Sequence, residues 1–315
     1  MTGPLTIVMY HYVHEAEGRG HAGLVGRSFD EFQGQLDHIQ RRYIVISPPQ
    51  FFDAIQGRRE LPHNACMLTF DDGYRIHYTV VYQTLRARGL CGFFFPPVRS
   101  ALEPIMLDVH KIHFALASSA APAEMARALC GWIESQSADP SIRPAAEYWS
   151  TYAKPSRFDP AEIVFIKRTL QKGLSEGARG EAVDWLFRRY SGFDEASLSE
   201  TFYMRQRELA DMVANGMYVG CHGYSHGWLD TMDNAGQARE VDLALTFLES
   251  VGSSTSNWIM CYPYGGLNEP LLALLRRRGC AAGVTTKVAV AEIGRDDPLR
   301  LPRLDTNDLP LCPEA

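Results

Sequence analysis

The chain has 315 residues, of which 46% are hydrophobic and 22% charged, the balance of an ordinary globular protein that can bury a large core. Its formal net charge of -6 argues against a general nucleic-acid binder, and no block of like charge suggests a tail. Nowhere do about eighteen apolar residues run together, so no membrane span is expected.

The amino-terminal sequence and the cysteines indicate the cellular compartment of the protein. The apolar stretch at residues 5–10 follows no basic residue and is too short for the core of a signal peptide. Seven cysteines, an odd number, are scattered without a C-x-x-C pair, which favours reduced thiols over a disulfide framework. We therefore predict a cytoplasmic protein.

Strands and helices alternate through the first hundred residues. The pattern predicts a buried strand at LTIVMYHYV, then a helix opened by Ser28 and Glu31, which have capping-box spacing. Strands follow at YIVIS, which two prolines end, and at ACMLTF. A helix that ends at Gly89 leads to a further strand, LCGFFF.

The alternation of strands and helices stops at about residue 101. From there to about residue 200 the pattern is helical with almost no strand signal, which predicts a packed helical insertion. Alternation then resumes through MYVGC, NWIMCYPYG and CAAGVTT and ends in LRLPRLD. We predict an α/β fold with a largely parallel sheet, as one domain over 1–315 with the insertion at 101–200. Sites in such folds gather at the carboxyl ends of strands.

Two motifs follow predicted strands. CMLTFDDGY presents Asp71 and Asp72 together, although a common D-G turn is the plainer alternative. VGCHGYSHGWLD places His222 and His226 four residues apart, with unrelated surface histidines as its alternative. Two imidazoles with one carboxylate are a frequent ligand set of catalytic zinc, and in this architecture the two motifs can meet on one face.

Together, TFDDG, HGYSH and YPYGG resemble the polysaccharide deacetylases, the NodB-homology enzymes of carbohydrate esterase family 4. The resemblance covers roughly residues 5–100 and 200–305. It implies a distorted (β/α) barrel of the polysaccharide deacetylase type that carries a divalent metal, usually zinc.

The resemblance also implies a role for each motif residue. Asp72, His222 and His226 would bind the metal, and Asp71 would be the general base. The metal would lower the pKa of its bound water and polarise the amide carbonyl, while the free carboxylate removes the proton of the attacking water.

The chain departs from the family pattern before the third motif. Members carry an arginine there, as R-x-P-Y, which orients the catalytic aspartate, whereas this chain has Cys261 at that position. Arg303, in LPRLDTND, is a candidate replacement, with an ordinary surface arginine as the alternative. By resemblance, Tyr264 can supply a backbone N–H to the oxyanion.

The general acid is the second departure. The family takes it from an L-x-H motif near the end of the domain, but no histidine follows Thr286. His11 is our preferred candidate, because the end of the first strand should share the face of the metal. His110 and His113, at the start of the insertion, are the other candidates. The insertion itself either covers the barrel or walls the cleft.

These residues predict a metal-dependent hydrolase that removes an acetyl or formyl group from the nitrogen of an amino sugar. The substrate would be nucleotide-linked, lipid-linked or a glycan terminus, in bacterial surface glycan or lipopolysaccharide (O-antigen) biosynthesis. An amidohydrolase of a small non-sugar amide and a non-catalytic carbohydrate-binding relative remain alternatives. Against the second stands Asp71, because a binding module has no need of a base.

Overall fold

The computed structural model describes residues 3–15, 23–118, 120–157 and 159–311. Within these ranges no helix combines the length and the apolar character needed to cross a membrane.

The described residues group into two compact units. The first falls within Met1–Gly20, Val25–Ile105 and Ser199–Ala315, and the second within His21–Leu24 and Met106–Leu198. The second unit overlaps the predicted insertion at 101–200. That both units belong to one catalytic domain stays a prediction.

The strands lie in the first unit. They are β1 Pro4–Tyr10, β2 Ile44–Val45, β3 Ala65–Asp71, β4 Phe93–Phe95, β5 Tyr218–Val219, β6 Trp258–Cys261, β7 Cys280–Val284, β8 Ala291–Glu292 and β9 Leu304–Asp305. β1 and β3 pair in parallel along their length, and β2 and β4 both pair in parallel with β3. β5 continues the sheet beyond β4, while β9 and the antiparallel β8 pair with β1.

Isolated bridges close these strands into a ring. Cys221, just after β5, bridges to Met260 in β6, and β6 pairs with β7. Val284 at the end of β7 bridges to Leu301, shortly before β9, which returns to β1. The predicted distorted (β/α) barrel is confirmed, and its distortion lies where single bridges replace regular ladders.

Successive side chains of the strands point to opposite faces of the sheet, and the two faces contribute to two separate apolar cores. Ile7 and Met67 belong to a cluster that also takes side chains from β4, β6 and β7. Because its members come from strands all round the ring, this cluster fills the barrel interior. Val8 and Leu68, on the opposite face, pack in a cluster with the surrounding helices.

The helices, in chain order, are α1 Phe29–Arg42, α2 Pro48–Ile55, α3 Gln83–Ala87, α4 Val98–Leu102, α5 Asp108–Leu116, α6 Pro122–Ser135, α7 Ala145–Tyr152, α8 Ala161–Arg168, α9 Glu176–Tyr190, α10 Glu195–Phe202, α11 Gln206–Ala214, α12 Asn234–Ser250 and α13 Glu269–Arg277. The capping box predicted for α1 is present: the Glu31 N–H donates to Ser28 Oγ, and the Ser28 N–H donates to Glu31 Oε2.

The second unit is helical and has its own core. Helices α5 to α9 pack together around buried side chains that include Ile112, Leu129, Phe165 and Leu186. The described part of this unit contains no strand, in agreement with the sequence pattern.

Two local details differ from the expectations. Pro48 and Pro49 were expected only to end a strand, but they begin α2, with the Ser47 N–H donating to Gln50 Oε1 at 2.8 Å. Proline suits a first helical turn because its φ is already helical and its missing N–H would have no intrahelical partner there. The helix after β3 contains a π-helical stretch, His77–Tyr82, before it continues as α3.

Candidate active site

The carboxyl end of β3 presents its two aspartates in different directions. Asp71 is the last residue of the strand and lies four residues after Met67, so the two side chains point to the same face of the sheet. The Asp71 side chain therefore points into the barrel interior. Asp72 and Gly73 follow with φ of 72° and 69°, a left-handed turn that carries Asp72 away from its neighbour. Adjacent carboxylates thereby reach different partners.

Asp72 meets the two histidines of the second motif. Its Oδ1 lies 3.3 Å from Nε2 of His222 and 3.2 Å from Nε2 of His226. All three side chains are buried, and one potential ligand atom from each lies within 4.8 Å of the others. Ligands about 2.0–2.2 Å from a tetrahedral zinc stand roughly 3.3–3.6 Å apart, so these distances suit one shared cation.

The hydrogen bond of His222 also fits a metal ligand. Its Nδ1 lies 2.7 Å from the carbonyl oxygen of Cys261, which can only accept, so Nδ1 carries the proton. Nε2, the atom that faces Asp72, therefore keeps its lone pair for a cation. The donor set and the tautomer fit a divalent metal at Asp72, His222 and His226.

A second group of potential ligands lies beside the first. Asp71, His222 and Cys261 also bring one atom each within 4.8 Å of one another. Both oxygens of Asp71, however, accept hydrogen bonds from the Arg303 guanidinium. A cation in this group would face that fixed positive charge, so the group with Asp72 is the better candidate.

Left-handed backbone is concentrated at the site. Of the four non-glycine residues with positive φ in the described chain, three are Asp72, His226 and Tyr264. The fourth, Asn64, precedes β3. Such angles strain residues that carry a Cβ and persist where the surroundings hold them, most often at functional sites.

Arg303 holds the carboxylate of Asp71 at two points. Its Nη1 donates to Asp71 Oδ1 at 2.9 Å and its Nη2 donates to Oδ2 at 2.8 Å. Two further hydrogen bonds fix the guanidinium. Arg303 Nη1 donates to Thr69 Oγ1, and Arg303 Nε donates to the carbonyl oxygen of Thr285. Arg303 is 1% exposed, so the alternative of an ordinary surface arginine is wrong.

The Arg303 guanidinium also contacts Cys261, the residue at the position where the family pattern has an arginine. Arg303 Nη2 is 3.4 Å from Cys261 Sγ, and Cys261 points into the barrel interior from the end of β6. The small thiol leaves room for an arginine that enters from the segment before β9.

The ion pair decides the charge of Asp71. Burial raises the pKa of this carboxyl, but the Arg303 guanidinium outweighs burial and holds the pKa below its ordinary value. Burial also disfavours the charged form of Arg303 and so lowers its pKa, but the Asp71 carboxylate raises this pKa. The net pKa of Arg303 lies above its ordinary value. Asp71 is therefore an anion at neutral pH, as a proton acceptor must be.

The three candidate acids lie in different units: His11 in the first, His110 and His113 in the second. His11 follows β1, with Nε2 4.0 Å from Asp71 Oδ2 and a side chain that is 44% exposed. It thus adjoins the aspartate on the open side of the barrel end. His110 lies on α5 in the second unit, buried, with its ring centroid 6.1 Å from that of His113. Asp71, Asp72, His222 and His226 belong to the same unit as His11.

Tyr264 lies beside the histidines, in a tight turn after β6. Its ring is 4.8 Å from that of His226 and stacks on Trp228 at 4.6 Å with an angle of 6° between the planes. Its backbone has φ of 57°, which turns the chain at the carboxyl end of the strand. Trp228 had no predicted role, although it lies two residues after His226 in the same motif.

Two further contacts were not anticipated. The Tyr74 hydroxyl donates to Asp72 Oδ2 at 2.8 Å. Glu240 on α12 is buried, and its Oε2 accepts from the N–H groups of Tyr224 and Ser225, which holds the loop between the two histidines. Tyr74 could have been suspected from its place in the DDGY stretch, whereas nothing near Glu240 in sequence links it to the loop.

The sequence profile of the polysaccharide deacetylase family matches residues 188–283. No curated protein matches the chain. Among solved structures, a deacetylase PplD of Streptococcus pyogenes in complex with acetate has a TM-score of 0.59 at 16% identity, covering 97% of this chain and 93% of its own. IcaB of Ammonifex degensii has a TM-score of 0.55 at 18% identity, with 96% and 92% covered.

A third similar structure is the BpsB deacetylase domain of Bordetella bronchiseptica, with a TM-score of 0.53 at 14% identity and coverage of 96% of this chain and 95% of that one. At these identities the likeness concerns the fold. The profile match includes β5 and the motif with His222 and His226, and the fold extends the likeness over nearly the whole chain. The predicted resemblance to the polysaccharide deacetylases is confirmed: residues 188–283 match the profile of that family, and the fold of nearly the whole chain is similar to that of solved deacetylases.

Proposed function

We propose that the protein is a metal-dependent hydrolase that removes an N-acyl group, acetyl or formyl, from an amino sugar. The match of residues 188–283 to the family profile supports deacetylation of sugars in general. The observation that carries the finer proposal is the convergence of His222 and His226 on one oxygen of Asp72, beside an Asp71 that Arg303 keeps ionised.

In this proposal Asp72, His222 and His226 hold the cation, and zinc is the best candidate for a set of two imidazoles and one carboxylate. When bound, a divalent cation there supplies Lewis acidity towards the amide carbonyl and lowers the pKa of water.

Asp71 is the general base. Its carboxylate lies at the barrel end beside the ligands, and it takes a proton from the water that attacks the carbonyl carbon. As the carbon–oxygen bond forms, the carbonyl oxygen gains negative charge. Arg303 orients Asp71 through two parallel hydrogen bonds, the task that the family's own arginine performs from another strand.

His11 is the general acid. The carbon–nitrogen bond breaks only as the departing nitrogen gains a proton, and His11 is the exposed titratable side chain next to Asp71. The proton that Asp71 takes and the proton that His11 gives balance the hydrolysis, whose products are a carboxylic acid and the free amine. The backbone N–H of Tyr264 is the proposed donor to the developing oxyanion.

The test is product release from a panel of substrates. Zinc-loaded protein is incubated with N-acetyl and N-formyl amino sugars, free, nucleotide-linked and oligomeric, and with small non-sugar amides. We expect acetate or formate and free amine in equal amounts from at least one amino sugar, and release roughly a hundred- to ten-thousandfold slower from the Asp71→Asn protein.

Each rival has its own outcome in the same assay. Release from non-sugar amides alone would replace the sugar substrate by a small amide. Saturable binding of glycans without release would identify a non-catalytic relative. Assignments to cytoplasmic lipopolysaccharide or other surface glycan assembly remain predictions from the sequence.

A further inference from the structure

A buried tyrosine hydroxyl contacts Asp72, the proposed metal ligand that follows β3. Tyr74 is 4% exposed, and its hydroxyl donates to Asp72 Oδ2 at 2.8 Å. The other oxygen of the carboxylate, Oδ1, is the atom that lies 3.3 and 3.2 Å from the two imidazole nitrogens. The two oxygens of Asp72 thus have different surroundings.

This difference matters because a free carboxylate can turn about its last bond. With Oδ2 engaged by a hydroxyl that Tyr74 donates, Oδ1 is the oxygen directed towards His222 and His226. Asp72 also has a left-handed φ of 72°, so its backbone conformation is strained and needs support from its surroundings. A hydrogen bond to the carboxylate supplies such support at the side chain.

Tyr74 is itself held rigidly. The N–H of Met204 donates to the carbonyl oxygen of Gly73, and Tyr74 forms an antiparallel bridge with Tyr203. Its ring packs edge to face against Tyr12, Phe202 and His77, with centroids 5.3, 5.2 and 5.3 Å away. A donor fixed in this way can hold the carboxylate in one orientation.

We propose that Tyr74 is a positioning residue that fixes the orientation of Asp72, so that one carboxylate oxygen is reserved for the cation. The inference rests on the proposed function only in taking Asp72 as a metal ligand. Partners that orient a ligating carboxylate commonly change metal affinity by about ten- to a hundredfold when removed. Tyr74 should belong to that class.

The test is titration of metal-free protein with cobalt(II), followed by visible absorption. Tyr74→Phe keeps the ring and its packing but removes the hydroxyl. We expect cobalt affinity about ten- to a hundredfold weaker than in the unmodified protein. We also expect weaker d–d absorption, because a carboxylate free to bind through both oxygens raises the coordination number.

Two control variants separate this effect from loss of any tyrosine hydroxyl. Tyr78→Phe removes a hydroxyl that donates to Asp211 Oδ2 at 3.1 Å on the surface. Tyr148→Phe removes a hydroxyl in the core of the second unit that accepts from the Arg143 N–H. Both should bind cobalt within twofold of the unmodified protein.

If Tyr74→Phe binds cobalt with unchanged affinity and spectrum, the inference is overturned, and the proposed reaction is untouched. If cobalt binding weakens as expected but no amino sugar is hydrolysed, the positioning role stands and the proposed reaction fails. Failure of the unmodified protein to bind cobalt would overturn both.

Discussion

Asp71 and Asp72 are neighbours in sequence with opposite electrostatic surroundings. Asp71 accepts two hydrogen bonds from Arg303, and that positive charge disfavours a second cation at the same carboxylate. Asp72 faces two imidazole nitrogens and a tyrosine hydroxyl. The proposed division into a base and a metal ligand therefore rests on the partners of each carboxylate.

Substituting each aspartate by asparagine separates the two roles. Asp71→Asn should lower kcat by roughly a hundred- to ten-thousandfold while the protein keeps about one zinc per chain. Asp72→Asn should lose both zinc and turnover. Metal content of the purified variants, measured with kcat, checks the prediction, and equal loss of zinc in both would contradict it.

Arg303→Lys tests the ion pair at Asp71. Lysine keeps the charge but cannot form two parallel hydrogen bonds, so the carboxylate is held less well and its pKa rises. Because the base acts when ionised, the acid limb of the kcat/KM profile should move to higher pH, with activity at least roughly tenfold lower from misalignment. An acid limb at the same pH in both proteins would count against the positioning of Asp71 by Arg303.

At the scale of elements, the turn after β3 combines strain with close packing. Gly73 has φ of 69°, and a Cβ placed on it would lie 2.8 Å from Pro96 Cβ and 3.0 Å from Pro96 Cα. Pro96 follows β4, which pairs with the last residues of β3. The ends of two neighbouring strands thus fix the turn that places Asp72.

Gly73→Ala should therefore be costly, and Gly57→Ala is its matched control. Gly57 has the same φ of 69°, but a Cβ there would meet nothing within 4 Å. The left-handed angle alone costs about 1–2 kcal/mol for alanine, which both variants should lose in the free energy of unfolding. Gly73→Ala should lose more and should also bind zinc less tightly. Equal losses in denaturant unfolding and unchanged zinc affinity would show that the turn is free to relax.

Much of this element could be predicted from the sequence. The apolar run of β3, its aspartates and the H-x-x-x-H stretch after β5 indicate strand ends on one face, because parallel strands share that edge. The bidentate contact of Arg303 joins residues 71 and 303, and only the closed ring of strands brings them together. The π-helix at His77–Tyr82 was not predictable, since its apolar residues fit an α-helical period equally well.

At the scale of the whole molecule, the chain buries separate apolar cores in its two units. In the first unit, one apolar cluster fills the barrel and a second packs between the strands and the surrounding helices. In the second unit, helices α5 to α9 surround a third cluster. The helical period predicted this second unit well, because long amphipathic segments are the most readable pattern in a sequence. No pattern assigned its function.

Core truncations should act within the unit that contains them. Leu186→Ala in the second unit and Leu36→Ala in the first each remove a fully buried side chain. Each should cost about 2–5 kcal/mol in stability, as large-to-small core substitutions do. Hydrogen exchange should rise most among amides of the same unit in each case. A uniform rise across the chain in both variants would contradict separate cores.

The most direct test of the central claim is restoration of activity by metal. Protein stripped by a chelator is titrated with zinc while acetate release from the best amino-sugar substrate is measured, alongside a His222→Ala variant. We predict no release without metal, a rise that levels off at about one zinc per chain, and no restoration in the variant, because a catalytic zinc needs its three protein ligands. Full acetate release from the stripped protein, or restoration of the variant at the same zinc ratio, would contradict the account.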